Sequence, residues 1–222
     1  MSFLSPLMEK SWEQGPAPQH QGLGRDHTRK AGLRLLLTVV SVLFFLFIVA
    51  FLMRSQYPDW QPLAEEANQP LFDKSILWLN TVYLVLASVF LQWARVSSRN
   101  KSLTVMKSGL VLGGLFSSAF VTGQLLFWQQ LYQQGFMVNS NPALSFFYIF
   151  TGLHGTHVGI GLLAWLGALA AMLRHSPKLG QYVELCAIYW HFLLGLWLVL
   201  FTLLVSKPDT YNAIVAFCGL GA

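Results

Sequence analysis

Four ionisable residues stand in apolar sequence where charge is expensive: His154, His157, Glu184 and His191. Imidazole and carboxylate groups can bind a metal, relay protons or hydrogen-bond neighbouring helices. His154 and His157 are three residues apart, so on a helix they share one face and offer two ligands to one ion. Height argues against a third ligand. In helical segments, His157 lies about 24 Å above the inner end of its helix, and His191 about 12 Å above the start of the next. One ion does not bridge that offset, and two histidines are a thin set for a metal or a haem. No metal site and no catalytic site is expected. The imidazoles read as interhelical hydrogen-bonding groups, each contributing about 1 kcal/mol or less in a membrane.

Glu184 sits one turn inside the end of its segment. Three roles are open to it. It can be neutral and hydrogen-bonded, or paired with a base such as Arg95 or Lys107. It can also handle lipid headgroups or protons.

The elements that must position these groups are transmembrane. Of 222 residues, 55% are hydrophobic and only 10% charged, whereas a soluble domain carries about 25% charged. A hydrocarbon core of about 30 Å needs about 20 helical residues. Five runs qualify: 35–53, 76–94, 110–128, 144–173 and 183–206. Pro58, Pro62, Pro70, Pro142, Pro177 and Pro208 fall outside or at the margins of these runs. The fold class is an all-α membrane protein, a bundle of five transmembrane helices. Residues 1–31 read as a polar, flexible arm without the features of a cleavable signal. Residues 32–206 form the membrane domain and 207–222 an external tail, whose apolar stretch from Ala213 lies on the surface or packs on the bundle.

Charge sets the orientation. Eleven of the fourteen basic residues fall on one side, in the N-terminal segment up to Arg34 and in the loops carrying Arg95, Arg99, Lys101, Lys107, Arg174 and Lys178. The positive-inside rule then places the N-terminus in the cytoplasm and the C-terminus outside. The pI near 9.4 follows from this asymmetry; the basic residues are too scattered for a nucleic-acid surface. Cys186 and Cys218 form no spaced motif and read as free, packed thiols.

Small residues suggest where helices approach. Gly109 and Gly113 form one GxxxG pair, and Gly155 and Gly159 another, flanked by Gly152 and Gly161. In lipid, helix contact depends on close backbone approach, so spans three and four are expected to pack tightly. Trp60, Trp78, Trp93, Trp128 and Tyr132 fit an interfacial belt. The tract Tyr189, Trp190, His191, Phe192, with Trp197 beyond, lies deep in span five, for packing or as a lipid groove.

Two segments resemble subunit III of the haem–copper respiratory oxidases. Residues Phe146 to Val158 follow that family's FF-x3-TG-x-HG-x-HV pattern, with His154 and His157 as its histidines. Glu184, Tyr189-Trp190-His191-Phe192 and Trp197 follow its E-x4-YWHF-x4-W pattern. Weaker similarity runs through Leu79-Asn80-Thr81 and Gly123-Gln124-x3-Trp128. The short form is similar to the bacterial version, which lacks two N-terminal helices of the seven-span form. Two acids of the family pattern are missing: Val39 and Val40 stand where span one often carries a glutamate, and Leu194 where an aspartate follows YWHF.

The resemblance implies a non-catalytic subunit with no cofactor of its own. Haem and copper would sit in the partner, subunit I. This chain would pack beside subunit I and the other oxidase subunits in the bacterial plasma membrane, with phospholipid as a candidate ligand. It would support assembly, lipid retention and sustained proton-coupled oxygen reduction. The missing acids point towards the branch that accompanies nitric oxide reductases, and that accessory role is the alternative. An independent transporter is the third reading.

Overall fold

The computed structural model describes residues 21–64, 69–71, 74–100 and 102–217, with the backbone alone at 21–27. Most of the expected arm, together with Lys101 and Cys218, lies outside the described residues. Helices follow in the order α1 (Gln21–Arg54), α2 (Ser75–Arg99), α3 (Leu103–Gln133), α4 (Pro142–Leu173), α5 (Leu179–Val205) and α6 (Pro208–Phe217). No strand occurs among the described residues. Five helices are long and apolar enough to cross a membrane. The chain is an all-α membrane protein.

The helices outrun the apolar runs because polar turns continue them beyond the hydrocarbon. α1 starts at Gln21, well inside the segment expected to be an arm, and α5 starts at Leu179 rather than 183. Local chemistry sets the ends. The side chain of Asn141 accepts from the Ala143 amide at 2.9 Å, and Pro142 follows in the first turn of α4. α3 ends on Gly135 at φ +86°, where the Phe136 amide reaches back to Leu131 O (3.0 Å) and that of Gly135 to Tyr132 O (3.1 Å). α4 ends the same way, but with His175 at φ +50° in the position that usually takes glycine.

α2 and α3 make the most extensive contact in the bundle, and α5 packs on both α2 and α4. α4 meets α3 more sparingly, and α1 lies against α4, α5 and α6. The antiparallel α2–α3 seam depends on missing side chains. A Cβ on Gly109 would lie 2.9 Å from Phe90 O, and one on Gly113 would lie 2.6 Å from Leu91 Cγ. Gly114 accommodates the Trp165 indole from α4, and Gly161 the Trp190 and Tyr189 rings from α5. Gly155 and Gly159 differ: nothing lies within 4 Å of either added Cβ. The tight contact expected of that second GxxxG pair is not made within this chain; Gly155 instead lines a cavity with Phe120, Gln124 and Trp128 of α3. Gly152 makes only ordinary contact with Trp128, at 3.6 Å.

α1 is held by rings. Phe44 meets His157, Phe47 meets Phe150, and Phe51 packs edge-on against Trp60, Phe146 and Tyr211. Tyr211 brings α6 back onto the bundle and donates to Leu203 O at 2.9 Å. Burial holds its phenol above the ordinary range. The tail therefore packs on the bundle through Tyr211 and Val215. At the end of α1, Arg54 donates to Asp59 at 2.8 Å and keeps that exposed carboxyl below its ordinary value.

Candidate functional site

Two polar centres separate along the bundle. The first surrounds Glu184, in the second turn of α5. Lys30 approaches its Oε2 at 2.9 Å, while Arg99 and Arg95 approach Oε1 at 3.1 and 3.4 Å. Of the partners anticipated for it, Arg95 takes part. Lys107 does not; it lines a cavity of about 490 Å3 together with Ser97, Ser98, His175 and Ser176. Lys30 and Arg99 were missed, Lys30 because its turn was assigned to the arm. One signal was available: Arg95 and Arg99 are four apart and so share a helix face. A single carboxylate among three cations leaves a formal excess of two positive charges. Next to them, Arg29 donates to Gln181 at 3.0 Å.

Why the cluster holds together follows from its surroundings. The Glu184 side chain is only 21% exposed, so its charge is poorly hydrated and needs donors. Ionic hydrogen bonds of this kind are stronger than neutral ones, contributing about 1.5–3 kcal/mol when well formed. The cluster joins three separate helices, α1, α2 and α5, at one end.

The second centre lies in mid-bundle and carries no formal charge. His154 is fully buried, with its ring 5.2 Å from that of Trp197 and 5.9 Å from that of Phe120. Neither ring nitrogen has a partner among the described residues. Trp197 donates to Thr81 at 2.9 Å, Asn80 donates to Gln124 at 3.3 Å, and Trp128 donates to Thr151 at 3.2 Å. These bonds tie α5 to α2, α2 to α3, and α3 to α4. Asn80 also fills the space that Gly123 leaves open: an added Cβ there would meet Asn80 Oδ1 at 2.2 Å.

The histidines part company. His154 faces the core, whereas His157 turns towards Phe44 of α1. His157 Nδ1 bonds Leu153 O at 2.8 Å, and His191 Nδ1 bonds Ala187 O at 2.6 Å. The expectation that imidazoles link helices is corrected here for the helices of this chain. Two of them bond their own preceding turn, because the carbonyl four residues back is within reach of Nδ1. The interhelical bonds come instead from Trp, Thr, Asn and Gln, and from Tyr189, which donates to His157 O at 3.0 Å. Trp190, fully buried, packs against Gly161.

The height offset between His157 and His191 narrows with the longer α5, where His191 lies about 18 Å from the start. Direction now separates them: His191 is exposed on the outside of α5, and His157 is half-buried beside α1. No group of three or more His, Cys, Asp or Glu residues occurs among the described residues in an arrangement to hold a metal. With one imidazole in the core between Phe and Trp rings, one beside α1 and one on the outside of α5, the three rings do not converge, and the residues present do not fit a haem or copper centre.

The description "Cytochrome c oxidase subunit III" belongs to the family model that matches residues 19–206. A protein named cytochrome c oxidase subunit 3 from Thermostichus vulcanus is 30% identical, over 79% of this chain and 86% of that protein. Its namesake in Synechocystis sp. is 28% identical over 90% of this chain and 84% of its own length. Another, from Bacillus sp., is 25% identical over 84% of this chain and 89% of its own. The match spans all five long helices and both polar centres, and the chain belongs to the cytochrome c oxidase subunit III family.

Proposed function

We propose that this chain is the non-catalytic subunit III of a bacterial haem–copper terminal oxidase, packed directly against the catalytic subunit I. The observation that carries this reading is the family match over residues 19–206, which spans the five long helices and both polar centres. Haem, copper and oxygen chemistry belong to subunit I. This chain supports assembly and sustained turnover from beside it. The oxidase names of its relatives favour this reading over a nitric oxide reductase accessory or a transporter.

The basic end lies in the cytoplasm of the plasma membrane and the C-terminus outside, as the distribution of Lys and Arg implies. There, the surplus charge around Glu184 suits an anionic phospholipid headgroup. A proton path through this chain is disfavoured. Val39 is exposed, Val40 is buried in the apolar core and Leu194 carries no acid, so neither α1 nor α5 offers a carboxylate at those heights.

Affinity purification through a tag on this chain, followed by haem spectroscopy and subunit identification, tests the reading. Haem-containing subunit I should be recovered in equal amount. Recovery of this chain without any haem protein overturns the reading. Deletion should lower oxygen-dependent respiration; loss confined to denitrifying growth favours the reductase accessory instead.

A further inference from the structure

His191 lies near the middle of α5 yet on its outer surface. About 18 Å of helix separate it from one end and about 21 Å from the other. Its Nδ1 sits 2.6 Å from Ala187 O. A carbonyl can only accept, so Nδ1 carries the proton, and in this tautomer Nε2 presents a lone pair outward. No partner for Nε2 occurs among the described residues.

The surrounding face is built for close approach. Gly195, Leu198 and Thr202 follow at four, seven and eleven residues, within one narrow stripe, and all are exposed. A Cβ on Gly195 would meet nothing within 4 Å. Thr202 is already satisfied by Leu198 O at 2.8 Å. What remains is one strong acceptor beside a shallow notch at the depth of the hydrocarbon.

We infer that this stripe of α5 docks a transmembrane helix of the partner oxidase subunit, one that presents a hydroxyl, indole or amide donor to His191 Nε2 while its backbone settles at Gly195. The inference rests on the proposed function and names the contact face. Acyl chains offer no donor, so lipid would leave the acceptor unpaired at a depth where that is costly. A symmetric pair of this chain also fails: the two-fold would bring Nε2 against Nε2, two acceptors with no proton between them. A different helix with its own donor meets both requirements.

The test uses the intact complex in native membranes, tagged on this chain. A photoreactive amino acid in place of Leu198 should give an adduct with the partner subunit on illumination. Adducts with lipid only, or with a second copy of this chain, overturn the inference. His191→Leu should lower the haem protein retained in mild detergent about threefold, as expected for one interhelical bond. His191→Gln, which keeps an acceptor, should restore it. Gly195→Phe should abolish retention while leaving the helix content of the purified chain unchanged. Wild-type retention in both His191→Leu and Gly195→Phe overturns the inference. If the unmodified chain itself recovers no haem protein, it is the proposed function that fails.

Discussion

α3 lies against α2 with Gly109 and Gly113 at the contact, whereas α1 meets the bundle through Phe44, Phe47 and Phe51. The first seam depends on side chains that are absent and the second on side chains that are large. In water both would be driven by apolar burial. In lipid, the separated helices would already be in an apolar medium, so shape and polar bonds must decide. A glycine seam gains backbone proximity and is intolerant of added atoms. A phenylalanine seam gains ring contact and is intolerant of lost ones. α1 compensates for its sparser contact with ties at both ends: Lys30 on Glu184 at one, and Phe51 against Tyr211 near the other.

Gly109→Val should produce the largest effect. Its new atoms meet a backbone carbonyl, which cannot rotate aside, and destabilisation of about 3 kcal/mol is expected. Thermal unfolding in detergent measures it, with Gly155→Ala as the contrast, expected within about 0.5 kcal/mol because open space surrounds that residue. Equal costs at the two glycines would break the comparison.

Phe51→Ala comes next, at about 2 kcal/mol. That is below the range for soluble cores, because lipid returns part of the transfer term and leaves mainly the lost contacts. Hydrogen exchange should rise in α1 and α6 and stay unchanged in α2 and α3. Uniform exchange in all helices would show that α1 is not a separately held element.

Glu184→Gln should cost about 1 kcal/mol, since the amide keeps acceptor geometry but leaves three cations without their counter-charge. Its signature is faster exchange confined to residues 28–34 and the near ends of α2 and α5. The smallest effect belongs to Asp59. Arg54 depresses this carboxyl, so its contribution is complete above the unfolded value near 4 and fades as pH falls through the lower folded value. Exchange at residues 55–60 should rise on acidification below about pH 4 in the wild type and show no such step in Asp59→Asn.

The membrane spans were legible because hydropathy needs no knowledge of neighbours. Their ends were not. Gln21 to Arg34 is polar, and only its continuation of α1 and the reach of Lys30 to a residue far along the chain make it helix rather than arm. The short α6 went unread because it is too short to span, and what fixes it, Tyr211 against Phe51, is a tertiary contact. GxxxG showed where a helix can be approached but not by what. One pair meets α2, while nothing in this chain closes on the other. The motif histidines were found, yet their roles were not, since rotamer and carbonyl reach decide them. The mid-bundle bonds of Asn80, Thr81 and Gln124 left only a faint trace, as isolated polar residues in two weakly similar segments.

α1 has a consequence in its length. Thirty-four residues extend about 51 Å, while the hydrocarbon layer is about 30 Å thick. Several turns must therefore stand clear of the oily layer as a stiff post, and its basic residues line the stretch where lipid headgroups end and water begins. The Lys30 ammonium is carried to Glu184 on a rod of fixed bearing, its reach set by helix geometry rather than by the wandering of a slack tether.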